Sequence, residues 1–531
     1  MNKHVVKEKE IIVLIIVSTI VIVLSSASLQ SMTINVVTQS PFFLYENVVY
    51  DVSLLATLVI TMLVRNRKCV LIPLITLWIL ILLIPYMIYI DSLPIYNDQL
   101  GFVSEAINGI LCGHIKPVQG ESSSLGHAYL TSILTIIMGI KPAIQGAIIV
   151  QSLLPFAYVI PLLALSYRDT KEMVLVILVI LGTMLNPLFY GRTPFAWIFL
   201  ILFTVLLYNE LNKRKESNRF LHISAIIVLL IIYVAYTISD PTSLIIPIML
   251  IVLSLFMKEF RILFLATAVT WFAINLVMYV SGNMSSLIAQ VLAMIEAPAN
   301  PVPSLAMPAV NPVMKLYNYA REFVVGIAYL IGLLSSLPLL RRGEFKVNPD
   351  LPWVILFMLF IAMQATALVM NRWGMVPYSM FVISVLPILV LKSIRNKPFQ
   401  IVLTVLTMIL ITLSPVVKWG FSAIAFPTVN DVYEALFIIN YIKDTKICAS
   451  GSHEFLWFYF WFHNITASII NLNPMFTPNQ ANTCNIIAIF YRSFNIYRLD
   501  VTMEYLDNEI NAMNAAFSVI YKNSFWTVWS K

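Results

Sequence analysis

Thirteen separate apolar segments dominate this chain and decide what it can fold into. A helix needs about 20 mostly apolar residues to cross a bilayer core about 30 Å thick. Only 11% of the residues are charged and 60% are hydrophobic, so too few polar side chains remain to cover a surface in water. The sequence therefore predicts a polytopic α-helical membrane protein. We place the spans at residues 11–29, 47–64, 70–90, 143–166, 173–189, 194–209, 220–238, 244–257, 262–281, 323–340, 351–369, 378–391 and 399–417.

Basic residues orient these spans, because lysine and arginine prefer cytoplasmic loops. With the N-terminus in the cytoplasm, the cytoplasmic segments hold 20 of the 33 Lys and Arg residues but only 9 of the 26 Asp and Glu residues. The C-terminal tail then lies outside the cell membrane. The basic residues that give the sequence a pI of about 9.0 are concentrated in the predicted cytoplasmic loops. Because the excess of basic charge is explained by the orientation of the spans, we expect no nucleic-acid partner.

Two features of the ends and loops bear on this topology. Both N-x-S/T sequons, at 283–285 and 464–466, fall on the predicted exterior side. The first span is open to a second interpretation as a cleaved signal peptide, because a basic start and an apolar middle precede Ser-Ala-Ser near residue 27. Cleavage would leave the orientation of every later span unchanged.

Three regions divide the chain. We expect an N-terminal transmembrane hairpin over 1–68, a transmembrane core over 69–417 with exterior loops 91–142 and 282–322, and a small exterior α/β domain over 418–531. The first loop holds two amphipathic helices, near 99–111 and 127–140, that suit the membrane interface. The second loop is rich in proline and is either a mobile cover or a linker.

The tail alternates short apolar runs with helical patterns, which is typical of an α/β domain. The runs lie at 446–449, 486–491, 517–521 and 526–529, and the helices at 430–443 and 501–515. Cys448 and Cys484 both lie there, on the oxidising side of the membrane. They are either disulfide-bonded or two buried free thiols.

The first exterior loop resembles that of the GT-C glycosyltransferase superfamily, which includes protein O-mannosyltransferases and aminoarabinose transferases of lipid A. Asp98 follows a span and precedes a helix that ends near Gly113; then come a polar gap, Gly126-His127-Ala128 and Gly139. Asn371-Arg372-Trp373 through Pro377 is similar to the Arg-aromatic pattern that opens a late span in these enzymes. Gly191-Arg192-Thr193-Pro194 is similar to another span start with arginine.

The resemblance implies an enzyme that moves a sugar from a polyprenyl-phosphate donor to an acceptor hydroxyl or glycan on a protein or lipid. Asp98 would be the general base, with Asp91 or Asp240 as alternatives. Arg372 and Arg192 would bind the donor phosphate, since guanidinium groups match phosphate oxygens.

Each of these residues also has a purely structural interpretation. Asp98 can cap the helix that follows it, and Asp240, in Ser-Asp-Pro-Thr, can initiate a tight turn. Both arginines can snorkel toward the membrane surface.

Other functional classes leave weaker signals. Residues His114, His127, Glu105 and Glu121 share one loop but show no metal-ligand spacing, so we expect neither a metal nor another cofactor. A membrane transporter or lipid flippase is the main alternative, and it would place ionisable residues within the spans. Asp51, near a span edge, is the nearest case.

Overall fold

The computed structural model describes residues 2–31, 43–84, 106, 110, 126–139, 143–184, 192–213, 223–256, 258, 260–280, 312–340, 350–369, 375–419, 437, 446–450, 468–472, 486–490, 510–511, 513–515, 517–522 and 526–530.

Helices make up most of the described chain. They are α1 (Asn2–Gln30), α2 (Val48–Leu63), α3 (Arg67–Trp78, extended by a π-helical turn at Ile79–Leu83), α4 (Gly126–Met138), α5 (Ala143–Leu163), α6 (Thr170–Gly182), α7 (Arg192–Lys213), α8 (Ile223–Ser239), α9 (Ile245–Phe256), α10 (Phe260–Val280), α11 (Pro312–Leu340), α12 (Leu351–Val369), α13 (Met375–Ser384), α14 (Leu386–Ser393) and α15 (Lys397–Trp419). Short 3₁₀ turns occupy Phe43–Glu46 and Pro241–Leu244.

Each predicted span overlaps one of these helices, or, for 378–391, the pair α13 and α14. Parts of several predicted spans, such as 85–90 and 185–189, lie outside the described residues. Among the described residues, 5 helices are long and apolar enough to cross a membrane: Lys9–Gln30, Thr193–Asn212, Phe260–Val277, Tyr319–Leu340 and Lys397–Lys418. Six further apolar helices are shorter, at 10–17 residues. The chain is thus an α-helical, membrane-embedded protein.

The exposed surface of the helices is apolar, as lipid contact requires. Outward-facing residues of α10, such as Leu265, Val269 and Phe272, are each well over half exposed. Leu255 on α9 is 77% exposed. A soluble fold would leave such a continuous apolar surface in water at great cost, so lipid must cover it.

Two short helical segments form the centre of the bundle. All residues of α6 from Glu172 to Gly182 are buried, and so is nearly all of α13 and α14. A helix that is hydrophobic on all sides belongs inside a protein. Gly182 permits α6 to approach α15 closely, because a Cβ there would lie 3.0 Å from side-chain atoms of Leu410 and Ile411.

Polar contacts join several helices at one end of the bundle, which we call the Lys392 end. Lys392, in the last turn of α14, forms a buried ion pair with Asp350, just before α12. Its ammonium group also lies 5.2 Å from the ring centroid of Tyr208 on α7, and that ring contacts Trp353. At the start of α6, the Thr170 hydroxyl donates a hydrogen bond to the carbonyl of Arg65 at 2.7 Å.

Five strands of the tail form one mixed sheet. They are β1 (Lys446–Ser450), β2 (Ser468–Leu472), β3 (Ile486–Phe490), β4 (Ser518–Lys522) and β5 (Trp526–Ser530), in the order β2-β1-β3-β5-β4. Strand β1 pairs in parallel with β2 and β3, whereas β5 pairs antiparallel with β3 and β4. The four apolar runs noted in the tail are strands, and β2 was not expected.

Of the predicted tail helices, only Phe437 and parts of 510–515 fall within the described residues, and both are helical. Cys448 on β1 is disulfide-bonded, while Cys69 on α3 is buried. Cys484 lies outside the described residues, so its bond to Cys448 stays a prediction.

Candidate functional site

Asp240 lies at the opposite end of the bundle, where α8 ends, and we call this the Asp240 end. Its Oδ1 accepts a hydrogen bond from the Thr242 backbone N–H at 2.8 Å, which caps the turn Pro241–Leu244. Its Oδ2 accepts a second from the Thr193 hydroxyl at 2.7 Å. The residue is 1% exposed. Asp240 thus initiates a turn, as its sequence context indicated, and ties the start of α7 to the end of α8.

These contacts favour a positioning role for Asp240. A general base must reach the proton that it removes, whereas both oxygens of this buried carboxylate already accept protein donors. The bond from Thr193 fixes the first turn of α7. Arg192, the first residue of α7, is therefore held at this end through its neighbour; its side chain lies outside the described residues.

Helix α4 begins against the same junction. A Cβ on Gly126 would lie 2.6 Å from the Ser239 hydroxyl oxygen and 3.2 Å from the Phe195 ring. Real Cβ atoms do not come as close as 2.6 Å, so a side chain at position 126 would force Ser239 or the start of α4 to shift. The contact joins the C-terminal part of the predicted loop 91–142 to α7 and α8.

The polarity of α4 is inverted relative to a surface helix in water. Its buried face carries His127, Thr131, Ser132 and Thr135, while its exposed face is apolar, with Ile137 76% exposed. We expected this stretch to be amphipathic and interfacial; the structure turns its polar face toward the protein. The exposed isoleucines then face lipid, which fits a helix at the membrane surface or within it.

The first loop helix also touches α4. The Ser132 hydroxyl donates to the carbonyl of Ala106 at 2.9 Å, and Ala106 is fully buried. Ala106 lies eight residues after Asp98 in the sequence. Asp98 and Asp91 themselves lie outside the described residues, so this contact bears only on the loop that carries them.

The two arginines of interest lie at the starts of neighbouring, parallel helices: Arg192 is the first residue of α7, and Arg372 comes shortly before α13. Helix α13 packs against α7 and begins at Met375, three residues after Arg372. Lys392 on α14 lies over the ring of Tyr208 on α7, so these two residues are at the same level of the bundle. The distance along α7 from Tyr208 back to its first residue is similar to the distance from Lys392 back to the start of α13, about 24 Å. Both segments therefore begin at the Asp240 end. Arg372 lies outside the described residues.

No group of three or more His, Cys, Asp or Glu side chains that could hold a metal ion occurs in the described part of the chain. Of the loop residues considered as metal ligands, His127 is described and buried, and the other three lie outside the described residues.

Comparison with known proteins gives no family assignment. No protein-family model matches the chain, and no curated protein matches it either. The likeness to GT-C enzymes therefore stays an expectation from the order and sidedness of a few motifs.

Proposed function

We propose that this chain is a GT-C-type glycosyltransferase that moves a sugar from a polyprenyl-phosphate donor to an acceptor hydroxyl or glycan on the extracytoplasmic face. One observation supports it above the others. The loop that carries Asp98 touches α4 through Ala106, and α4 is fitted against the α7–α8 junction beside Arg192. The helix after Arg372 packs on α7. Ala106, α4, the start of α7 and α13 are thus linked by contacts, which supports a shared site for the proposed base and phosphate ligands.

The proposed topology has thirteen spans, with the N-terminus in the cytoplasm and an α/β domain from residue 418 outside. It makes the Asp240 end exterior and the Lys392 end cytoplasmic, as the distribution of basic residues favours. A lipid-linked donor could then reach the site from the bilayer. Cysteine labelling at positions 66 and 531 in intact cells tests this, and labelling at 66 but not at 531 would reverse the orientation.

The reaction would divide among the proposed residues as follows. The Asp98 carboxylate accepts the proton of the acceptor hydroxyl, whose oxygen bonds to the anomeric carbon of the sugar. The bond between that carbon and the phosphate oxygen breaks, and the oxygen keeps the electron pair. Arg192 and Arg372 stabilise the leaving phosphate. Asp240 acts indirectly, by holding Thr193 and hence the start of α7.

Asp98→Asn tests the catalytic role. The amide keeps the size and much of the capping ability of the carboxylate but cannot accept the proton. We expect a folded, membrane-inserted protein whose sugar transfer falls by about 10²-fold or more. The measurement is transfer of radiolabelled sugar in membranes, supported by mass spectrometry of surface glycans with and without the gene.

Asp91→Asn is the matched control and should keep near-normal transfer. Normal transfer by Asp98→Asn would show that Asp98 only caps its helix, and Asp91 would then become the better candidate. Arg372→Ala should instead weaken donor binding, by about 2–5 kcal/mol if the arginine pairs with phosphate in a buried site.

A further inference from the structure

The sheet of the tail contains a point at which the order of its strands reverses. From β1 the chain proceeds to β2 on one side, and it then returns past β1 to β3 on the other side, which gives the spatial order β2-β1-β3. Both pairings are parallel, with Cys448 opposite Ile470 of β2 and Ile487 of β3. In open sheets with parallel strands, ligands bind outside the carboxyl ends of the strands at such a reversal. The topology therefore singles out the edge formed by the carboxyl ends of β1 and β3, which we call the carboxyl edge.

A row of paired residues crosses the sheet at this edge. Ser450, the last residue of β1, is opposite Ile489 of β3, which is opposite Thr527 of β5. Thr527 is in turn opposite Lys522, the last residue of β4. Directly opposite residues lie on the same face of a sheet, and neighbouring strands are about 5 Å apart. Two hydroxyl groups and one cation thus belong to a single row on one face.

The residues that follow β1 and β3 add hydrogen-bond donors. Gly451 and Ser452 come directly after Ser450, and Arg492 comes two residues after Phe490. These three lie outside the described residues, but chain connectivity limits their distance from the strand ends. The Cα of Gly451 is about 3.8 Å from that of Ser450, and the Cα of Arg492 is at most about 7 Å from that of Phe490. The two sets of donors therefore start from neighbouring strands.

These residue types suit a phosphate. Glycine lets the backbone N–H groups approach a ligand closely, serine hydroxyls donate hydrogen bonds, and the guanidinium fork matches two phosphate oxygens. Arg492 and Lys522 also outnumber Glu454, the one acidic residue within four residues of these strand ends. A carboxylate has two oxygens in one plane, whereas a phosphate monoester has three terminal oxygens and can accept bonds from both strands at once.

We propose that the carboxyl edge of β1 and β3 binds a phosphate monoester. Residues 450–452 and Arg492 are its ligands, and Lys522, two strands away from β3, adds a more distant positive charge. The site lies in the tail, apart from Asp98, Arg192 and Arg372, and it does not depend on the proposed glycosyltransferase function. It gives the tail a binding role of its own.

Phosphorus-31 NMR of the purified full-length protein in maltoside micelles tests the site. The probe is glycerol 3-phosphate, and binding is measured as broadening of its resonance on titration. Glycerate, in which a carboxylate replaces the phosphate, is added as a competitor. We expect the parent protein to bind glycerol 3-phosphate and glycerate to displace it poorly.

Substitutions locate the bound phosphate. Arg492→Gln should weaken binding by about tenfold or more, because it removes the charged fork. Arg492→Lys keeps the charge without the fork and should recover part of the affinity. Lys522→Gln should weaken binding by only about two- to threefold, as expected of a more distant, screened charge.

Lys446→Gln is the matched control. Lys446 is the first residue of β1 and lies opposite Ser468, at the other end of the same strand, so its affinity should equal that of the parent. The unfolding midpoint of each variant is compared with the parent's, and Arg492→Lys keeps the test valid if Arg492→Gln lowers stability.

A second pair of samples identifies the source of the phosphate. The parent is placed in phosphatidylcholine nanodiscs with or without dioleoyl phosphatidic acid, which carries the same group on a lipid. Displacement of glycerol 3-phosphate by the phosphatidic acid supports a lipid headgroup as the ligand. Retention of the probe supports a soluble phosphate.

Several results would overturn the assignment. Equal affinity in Arg492→Gln and the parent would show that the carboxyl edge is not the site, and an equal loss in Lys446→Gln would show general attraction to the tail. Glycerate that competes as well as glycerol 3-phosphate would exclude selectivity for phosphate. Binding that survives Arg492→Gln but disappears in Arg372→Ala belongs to the helical bundle, which supports the proposed function and overturns this inference. Absence of binding to the parent also overturns it and leaves the proposed function to the separate sugar-transfer assay.

Discussion

The two ends of the bundle differ in whether their buried polar groups have hydrogen-bond or ion-pair partners. At the Lys392 end, the charged groups meet partners: Lys392 pairs with Asp350 and lies over Tyr208, and the Arg67 guanidinium donates to the carbonyl of Tyr167. The indole N–H of Trp353 is an exception, because it has no partner among the described residues. At the Asp240 end, some groups are paired, as Asp240 is with Thr193. Others, such as Tyr378, Gln364 and Thr135, have none within the described chain.

This difference indicates which end works on a ligand. Polar groups that are already paired with one another hold helices in place, and they have no free donor or acceptor with which to bind a ligand. Unpartnered donors and acceptors cost stability, and such a cost is commonly found where a protein must bind something else. The Lys392 end is thus suited to hold the bundle together, and the Asp240 end to bind substrate. This contrast predicts opposite responses to substitution at the two ends.

The largest loss of stability should follow from breaking the ion pair at the Lys392 end. Asp350→Ala leaves the Lys392 charge buried without its carboxylate, which costs about 3–5 kcal/mol. The measurement is thermal or denaturant unfolding of the purified protein. Lys392→Ala should cost a similar amount, and the double variant should lose less than the sum of the two, since it buries no lone charge.

If Asp350→Ala and Lys392→Ala each lower the free energy of unfolding by less than about 1 kcal/mol, the ion pair stabilises the protein no more than an exposed pair does. The proposed difference between the two ends would then be wrong. Tyr378→Phe serves as the opposite-end comparison and should not lower stability. If Tyr378→Phe lost as much stability as Asp350→Ala, the polar groups at both ends would have a structural role.

An intermediate loss should follow from Gly126→Ala at the Asp240 end. The added methyl group would overlap the Ser239 hydroxyl, whose oxygen lies 2.6 Å from the Cβ position. Overpacking of this kind costs about 1–3 kcal/mol, and the shifted α4 should also lower sugar transfer. Unfolding and transfer assays on the same preparations measure both effects.

The double variant Gly126→Ala/Ser239→Ala provides the control, because it removes the closest overlapping atom. It should recover part of the stability and part of the transfer. If Gly126→Ala is less stable but transfers sugar at the parental rate, the start of α4 is not part of the active site. The contact between α4 and the loop would then no longer support the proposed function.

The apolar helices could be predicted from sequence because a long apolar run is a local signal that does not depend on the neighbouring helices. The turn at Asp240 was also predictable, since Asp-Pro is a local signal. The inward polar face of α4 was not, because the same spacing of Thr131 and Thr135 fits either orientation until neighbouring helices are known. Strand β2 was missed because Ser468–Leu472 lies in a region without clear alternation.

The contacts between distant segments could not be predicted from patterns in the sequence. Asp240 and Thr193 are 47 residues apart and lie on different helices, whereas periodicity reports one helix at a time. Asp350 and Lys392 are 42 residues apart, and no local pattern in the sequence indicates that they pair. The unpartnered state of Tyr378 and Gln364 depends on how three helices pack, so a single sequence holds no signal for it.

The smallest expected effect concerns the bond between Thr193 and Asp240. Thr193→Val keeps the shape of the side chain but removes the donor to Oδ2, while the Thr242 N–H still caps the turn through Oδ1. One net hydrogen bond to a charged group is worth about 1.5–3 kcal/mol, and relaxation of an end turn should keep the loss near the lower figure. If the bond positions Arg192 for the donor, affinity for citronellyl-phosphoryl sugar should fall as well. Asp240→Asn keeps the Oδ1 acceptor for the Thr242 N–H, and its new Nδ2–H can donate to the Thr193 hydroxyl oxygen, so it should lose less than Thr193→Val in each assay. Equal stability with unchanged donor affinity in Thr193→Val would mean that the start of α7 is held by packing alone, and Asp240 would then be only the cap of its turn.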